Sequence, residues 1–260
     1  MAGVHPSAVV EDGARIDPTA TVGPFCVIGA GVEIGPEVEL KSHVVISGQT
    51  TIGAGTTIFS FAVIGEVPQD LKFKGEDSRL IIGERNRIRE HVTMNGGTEG
   101  GGGVTKIGDD GLFMAGCHIA HDAMIGDRVI VVNSAAIAGH CVLEDDVIVG
   151  GLSGVHQFVR IGRGAIIGAV TMVTNDVIPY GLVQAPRGEL DGLNLVGLKR
   201  RGVARSDITA LRAAFQMLAQ GDGTFHSRAE RLGAETDSDY VREIVDFVMG
   251  ESDRHFLTPR

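Results

Sequence analysis

Tryptophan is absent from the 260-residue chain, aromatic residues make up only 5% of it, and cysteine occurs three times, at Cys26, Cys117 and Cys141. So few large rings exclude an interior packed around aromatics, and with 38 glycines the core must be built from small branched aliphatics. Three scattered cysteines exclude a disulfide framework and predict a reducing compartment. No run approaches the roughly 18 to 20 apolar residues that a membrane-spanning helix needs. No basic-then-apolar leader opens the chain, because Met1-Ala2-Gly3-Val4-His5-Pro6 enters a repeat at once. These absences predict a cytoplasmic protein without a transmembrane segment. Basic residues are outnumbered by acidic ones, 23 to 33, for a net charge of -10, and that balance argues against general nucleic-acid binding.

What the chain does contain is an aliphatic residue at every sixth position. Val4, Val10, Ile16, Val22, Ile28, Ile34, Leu40, Ile46, Ile52, Ile58 and Ile64 share one phase; Ile82, Ile88 and Met94 follow; then come Ile107, Phe113, Ile119, Ile125, Val131, Ile137, Leu143, Val149, Val155, Ile161, Ile167 and Val173. Neither a helix nor an ordinary strand repeats at six, whereas a parallel β-helix does. Three hexads per coil place residues 18 apart directly above one another, about 4.8 Å apart. Glycine often follows the aliphatic, as in Ile28-Gly29, Ile34-Gly35 and Ile52-Gly53, where a tight corner or a positive φ is expected. Exposed sheet faces and edges predict side-by-side oligomerisation.

The period lapses twice. Residues 65–80 read as an outward loop one whole coil long, and residues 95–105, with their glycine run, as a flexible excursion. The glycine run lacks the Lys-Ser/Thr ending of a phosphate-binding loop. The solenoid is expected over 1–183, an irregular linker with a basic segment over 184–202, and a small α-helical domain over 203–260. In the last, Ile208, Leu211, Phe215 and Leu218 keep helical spacing, with Ser206 as N-cap and Gly221 as terminator, while Thr224 and Ser238 cap two further helices.

Subtraction by eighteen brings chemistry together. His121 falls under Gly139 and Gln157, Asp122 under His140 and Phe158, and Ala120 under Ala138 and His156; His118 lies three residues before His121. A carboxylate next to His121 can fix its tautomer and raise its basicity as a general base. A bare glycine N–H one coil above is the right kind of donor for a developing oxyanion. Together they suit direct acyl transfer to a hydroxyl or an amine. Gly151-Leu152-Ser153-Gly154 lacks the spacing and the strand-to-helix setting of a nucleophile elbow. Cys117 and Cys141 adjoin His118 and His140, but the spacing gives no closed four-ligand zinc set.

Taken in order, Gly65-Glu66-Val67-Pro68-Gln69-Asp70-Leu71-Lys72, Arg87-Ile88-Arg89-Glu90, His118-Ile119-Ala120-His121-Asp122, Ala138-Gly139-His140, His156-Gln157-Phe158 and Gly197-Leu198-Lys199-Arg200-Arg201-Gly202 resemble the UDP-N-acetylglucosamine O-acyltransferases that begin lipid A synthesis, over nearly the whole chain. The resemblance implies an all-β left-handed parallel β-helix followed by a small α-helical domain, assembled as a homotrimer with active sites between subunits. It implies His121 as general base, Asp122 as its orienting partner and the Gly139 N–H as oxyanion donor. Asp70, Lys72, His118, His140, His156, Gln157, Asn194 and Arg201 would contact the nucleotide sugar or the acyl chain. Arg85, Arg87, Lys199, Arg200 and Arg205 would receive the acidic acyl carrier protein, whose phosphopantetheine carries the donor, so that neither a cofactor nor a metal is needed.

Three positions depart from the family pattern. Ala169 stands where some members have a glycine at the floor of the acyl groove, and its methyl should shorten or reshape the chain accepted. Val196 replaces a Glu carried by several members near the nucleotide, and Asn95-Gly96 replaces a pairing that often includes Arg. Acylation of a 3-amino sugar by the same mechanism, a zinc hydratase on the same scaffold, and a non-catalytic binding solenoid are the alternatives. The related N-acyltransferases usually carry an extra domain before the helix, whereas hexads here begin at Val4.

Overall fold

A computed structural model describes residues 3–184 and 189–258. Short strands, mostly two residues long, recur from Gly3–Val4 to Met172–Val173 and join three sheets of eleven, nine and eight strands. Every third strand enters the same sheet, so the chain winds as a left-handed parallel β-helix of triangular section. The first sheet starts with Gly3–Val4, the second with Val9–Val10 and the third with Arg15–Ile16. The register steps by eighteen through the regular coils, as in Val9↔Val27 and Val27↔Val45, and shortens to sixteen at the last one, Ile166↔Leu182.

The second residue of each strand points inward. Ile28, Ile46, Ile58, Ile64, Ile88, Ile119, Ile137 and Val149 are fully buried, stacked into an aliphatic column. Burying each such side chain contributes about 1.5 to 3 kcal/mol, and residues two positions before them, among them Val32, Val38, Val44, Val129 and Val147, are buried with them. The thiols of Cys26, Cys117 and Cys141 are also interior.

Positive φ falls elsewhere than expected. Gly29, Gly35 and Gly53 are not in the left-handed region; at many corners the third residue after the aliphatic is, including Phe25, His43, Phe61, Asp122, His140 and Phe158, with φ between 59° and 67°. The glycines answer a different need, close approach of the next coil. A Cβ at Gly53 would lie 2.5 Å from the backbone of Gly83, and one at Gly35 would lie 2.8 Å from the Ile52 carbonyl oxygen.

Both interruptions leave from the edge between the second and third sheets. Ile52 pairs with Ile82, thirty residues on rather than eighteen, so the first loop inserts twelve residues and not a whole coil. Thr93 pairs with His118, twenty-five residues on, so the glycine-rich loop inserts seven. The segment expected to be an irregular linker is also partly ordered. Gly181–Gln184 extends the first sheet, Glu189–Leu193 pairs antiparallel with it, and helix α1 (Leu195–Arg200) follows. Residues 185–188 of this segment lie outside the described residues.

Three longer helices close the chain: α2 (Arg205–Ala219), α3 (Phe225–Glu235) and α4 (Asp239–Met249). Helix α2 begins with Ala204 as N-cap, two residues before the expected Ser206. Thr224 caps α3, accepting from the Ser227 N–H at 3.1 Å, whereas Ser238 precedes α4 without a side-chain cap bond. Helix α4 is tied to the end of the solenoid by the buried Tyr180, which donates to Glu243, and by Arg163, 2.7 Å from the same carboxylate.

Candidate active site

Three successive corners between the second and third sheets carry His121, Gly139 and Gln157 one above another, on strands in register at His118↔Ala136↔Gly154. The His121 imidazole lies flat against Gly139. A Cβ at that glycine would come 2.5 Å from Cε1 and 2.7 Å from Nε2. The Gly139 N–H has no backbone acceptor among the described residues, while the neighbouring His140 N–H donates to the His121 carbonyl at 3.0 Å. What singles out Gly139 is the absence of a side chain to screen it.

His121 and Asp122 are both buried, and His121 Nδ1 is 2.8 Å from Asp122 Oδ2. The carboxylate is filled from the other side by the glycine-rich loop. Thr98 donates its N–H to Oδ1 at 2.8 Å and its hydroxyl to Oδ2 at 2.6 Å, and the Asp122 N–H donates to Thr105 Oγ1 at 2.8 Å. The Asp122 carboxylate therefore acts only as an acceptor, which fixes the His121 proton on Nδ1 and leaves Nε2 as a lone-pair base. The expectation of a flexible excursion at 95–105 is corrected: the loop is clamped to the carboxylate, and Gly101 approaches so closely that a Cβ there would overlap Asp122.

A cleft of about 350 Å³ opens beside this pair. Gln69, His118, His121, Gly139, His156 and Gln157 give it polar edges, and Ala120, Ala136, Ala138, Val155 and Met172 an apolar floor. His118 shares a 2.7 Å hydrogen bond with Thr93, and burial, with His121 nearby, holds its pKa below the ordinary histidine range. His140 is also held low, first by burial; Asp122 and Asp70 oppose this and Lys72 adds to it. Its ring stacks on Phe158 at 4.4 Å and meets His121 edge-on at 5.1 Å. Asp70 and Lys72 lie on the twelve-residue loop, near enough for their charges to act on His140, and Asp70 Oδ1 accepts from the Lys72 N–H.

The other expected residues lie elsewhere in the same chain. Ala169 is exposed at the far edge of the second sheet and does not line the cleft. Asn194 and Arg201 sit at the third edge: Asn194 donates to the Gly164 carbonyl at 2.9 Å and caps α1, and the Arg201 guanidinium lies over Gly164. Lys199, Arg200 and Arg205 are exposed nearby. Arg85 does not extend this basic patch freely. It pairs with Glu84, Asp109 and Asp110 in a run of alternating charge that continues through Arg128, Asp145 and Asp146; Arg87 is exposed on the first sheet. Thr98, Thr105, Gln69 and Met172 were not singled out by the hexad pattern, since the first three lie in or beside the insertions and Met172 reads as an ordinary outward position.

The zinc reading built on the cysteines fails on direction, because Cys117 and Cys141 point into the prism while His118 and His140 face out. Among the described residues one group, His121, Asp122 and His140, gathers ligand atoms within 4.8 Å, but Asp122 Oδ2 is already 2.6 Å from the Thr98 hydroxyl and 2.8 Å from His121.

Residues 176–257 match the family described as UDP N-acetylglucosamine O-acyltransferase, domain 2, and residues 7–42 match the bacterial transferase hexapeptide repeat. Over 203 residues, 78% of this chain and 77% of the relative, the sequence is 71% identical to the acyl-[acyl-carrier-protein]--UDP-N-acetylglucosamine O-acyltransferase of Paracoccus denitrificans. The chain belongs to the UDP-N-acetylglucosamine O-acyltransferase family. The Agrobacterium fabrum member is 43% identical over 99% of this chain and 96% of its own. The crystal structure of the Moraxella catarrhalis UDP-N-acetylglucosamine O-acyltransferase superposes with a TM-score of 0.93, at 36% identity, covering 98% of this chain and 99% of that one. The chain is accordingly an acyltransferase of this family, and the hydratase and amino-sugar readings gain no support from these relatives. No helix among the described residues is long and apolar enough to cross a membrane.

Proposed function

We propose that the protein moves a (3R)-hydroxyacyl group from acyl carrier protein to the 3-hydroxyl of UDP-N-acetylglucosamine, the entry step of lipid A synthesis, with His121 as the base. The observation that carries this is the buried His121 ring, held on Nδ1 by Asp122 and laid against the unscreened Gly139 amide. His121 Nε2 takes the proton as the sugar oxygen attacks the thioester carbonyl. The Gly139 N–H receives the charge that develops on the carbonyl oxygen. Collapse expels the pantetheine thiolate, which recovers the proton from His121, so no cofactor is consumed and no metal is required.

The apolar floor of the cleft suits the acyl chain, and His118, His156 and Gln157 supply polar contacts at its rim. Ala169, at the other edge of the second sheet, would meet the end of a chain laid across that face. Beyond His118 the outward row on this sheet runs Ala136, Gly154 and Met172, the last more than half exposed. Asn194 and Arg201 stand at a different edge from His121, so a homotrimer in which each copy completes its neighbour's site accounts for both facts. Lys199, Arg200 and Arg205 are the carrier-protein surface in this reading, and three interior thiols fit the reducing cytoplasm.

Purified protein incubated with UDP-N-acetylglucosamine and a panel of (3R)-hydroxyacyl carrier proteins should yield one ester, identified by mass. His121→Ala should lower kcat on the order of 10² to 10⁴-fold. Normal turnover by that variant would remove His121 from the chemistry.

A further inference from the structure

The last described residues reach the active site. After α4 the chain returns across the end of the solenoid and adds one parallel bridge, Asp176↔Phe256. The Asp176 N–H donates to the His255 carbonyl and the Leu257 N–H to the Asp176 carbonyl, both at 2.8 Å. The Asp176 side chain, fully buried, accepts from Ser252 Oγ at 2.6 Å and from Arg160 Nε at 2.7 Å. Phe256 packs on Phe225 and Phe247, with ring centroids 5.5 and 6.1 Å apart. Between these anchors the Arg254 N–H donates to Ser252 Oγ at 3.0 Å, and its guanidinium comes 2.9 Å from His156 Nδ1.

That contact decides a proton. A guanidinium can only donate, so His156 Nδ1 must accept, and the single proton of a neutral ring sits on Nε2. The Gln157 carbonyl, 3.3 Å from the same Nδ1, would ask for the opposite tautomer. The two demands are incompatible, and the shorter, charge-assisted bond prevails. His156 lines the cleft, so the ring then offers it an N–H donor.

We propose that Arg254 is a positioning residue that holds His156 as the Nε2–H tautomer, so that the tail of the chain sets which polar atom His156 presents to a substrate carbonyl, hydroxyl or phosphate oxygen. The inference rests on the reading of the cleft as the substrate site, and it deepens that reading by assigning a duty to a residue far from every hexad. The tail does this without touching the reacting atoms.

Ring nitrogen spectra of the full-length protein labelled with ¹⁵N-histidine, with the His156 signals identified by their loss in His156→Gln, test it. In the unmodified protein and in Arg254→Lys, which keeps a charged donor, Nδ1 should have the shift of a bare acceptor and Nε2 that of a protonated nitrogen. In Arg254→Ala the two should move toward a mixture of tautomers, and the KM for the nucleotide sugar should rise about threefold to tenfold with kcat little changed. Identical His156 spectra in Arg254→Ala and the unmodified protein would overturn the proposal. A His156→Gln enzyme with unaltered steady-state constants would instead remove His156 from the substrate site; the ring spectra do not depend on turnover, so the two failures are told apart.

Discussion

Gly139 has to serve two neighbours at once. Its N–H must remain open to the cleft, and its α-carbon must leave room for the His121 imidazole. Nothing about its own backbone demands glycine, since it is absent from the left-handed positions. The Gly139→Ala substitution therefore bears on both roles, since the methyl screens the N–H and crowds the imidazole. The added methyl would fall 2.5 Å from Cε1, closer than carbon atoms approach, and the ring rather than the coil must give way. A displacement on the order of 1 Å in a base can lower turnover about 10²-fold. Purified Gly139→Ala should show a kcat lowered about 10 to 10²-fold with a Tm close to that of the parent; full turnover would show that the imidazole has room to spare. The juxtaposition of these two residues was legible in the sequence because coil geometry converts a separation of eighteen into contact. The Thr98 bonds to Asp122 were not, because an insertion has no period from which its end point can be computed.

At the scale of elements, the two insertions and the catalytic corner share one edge of the prism. A loop that leaves a solenoid must return near its point of departure, so the twelve- and seven-residue insertions stay beside the coils that follow them. Glycines let the shorter loop fold back, with Gly102 and Gly103 in the left-handed region, and Thr98 then plugs both oxygens of Asp122. The hexads made the strands, their order and the inward column readable, while the partial order of the segment after Val173 depended on pairing at an open sheet end that no local pattern announces. Thr98→Val tests the clamp. It removes the 2.6 Å hydroxyl bond to Asp122 but keeps shape and backbone. Loss of one charge-assisted bond should reduce kcat about tenfold and speed amide exchange over residues 98–103. Unchanged exchange and turnover together would mean that the loop is held by something other than Asp122.

For the molecule as a whole, stability comes from a narrow apolar core, and that core contains the strongly buried thiols of Cys117 and Cys141. Burial pushes the Cys117 and Cys141 thiols up to about 12 from an ordinary 9.0. Both are thus harder to ionise in the folded protein than in the unfolded chain. Their contribution is fully present below pH 9, where neither state ionises, and drains away as pH rises from 9 towards 12, because only the unfolded chain then gains by releasing protons. Each thiol should remove about 1.4 kcal/mol per pH unit across that window. Urea unfolding at pH 7.5 and pH 10.5 should therefore show a larger alkaline loss in the parent than in Cys117→Ala/Cys141→Ala, by about 4 kcal/mol, even though the double variant starts less stable because of the volume removed. Every other ionisable group is common to the two proteins, so the comparison isolates the thiols. Parallel pH dependences would mean that water reaches the thiols, and the closed aliphatic column would have to be given up.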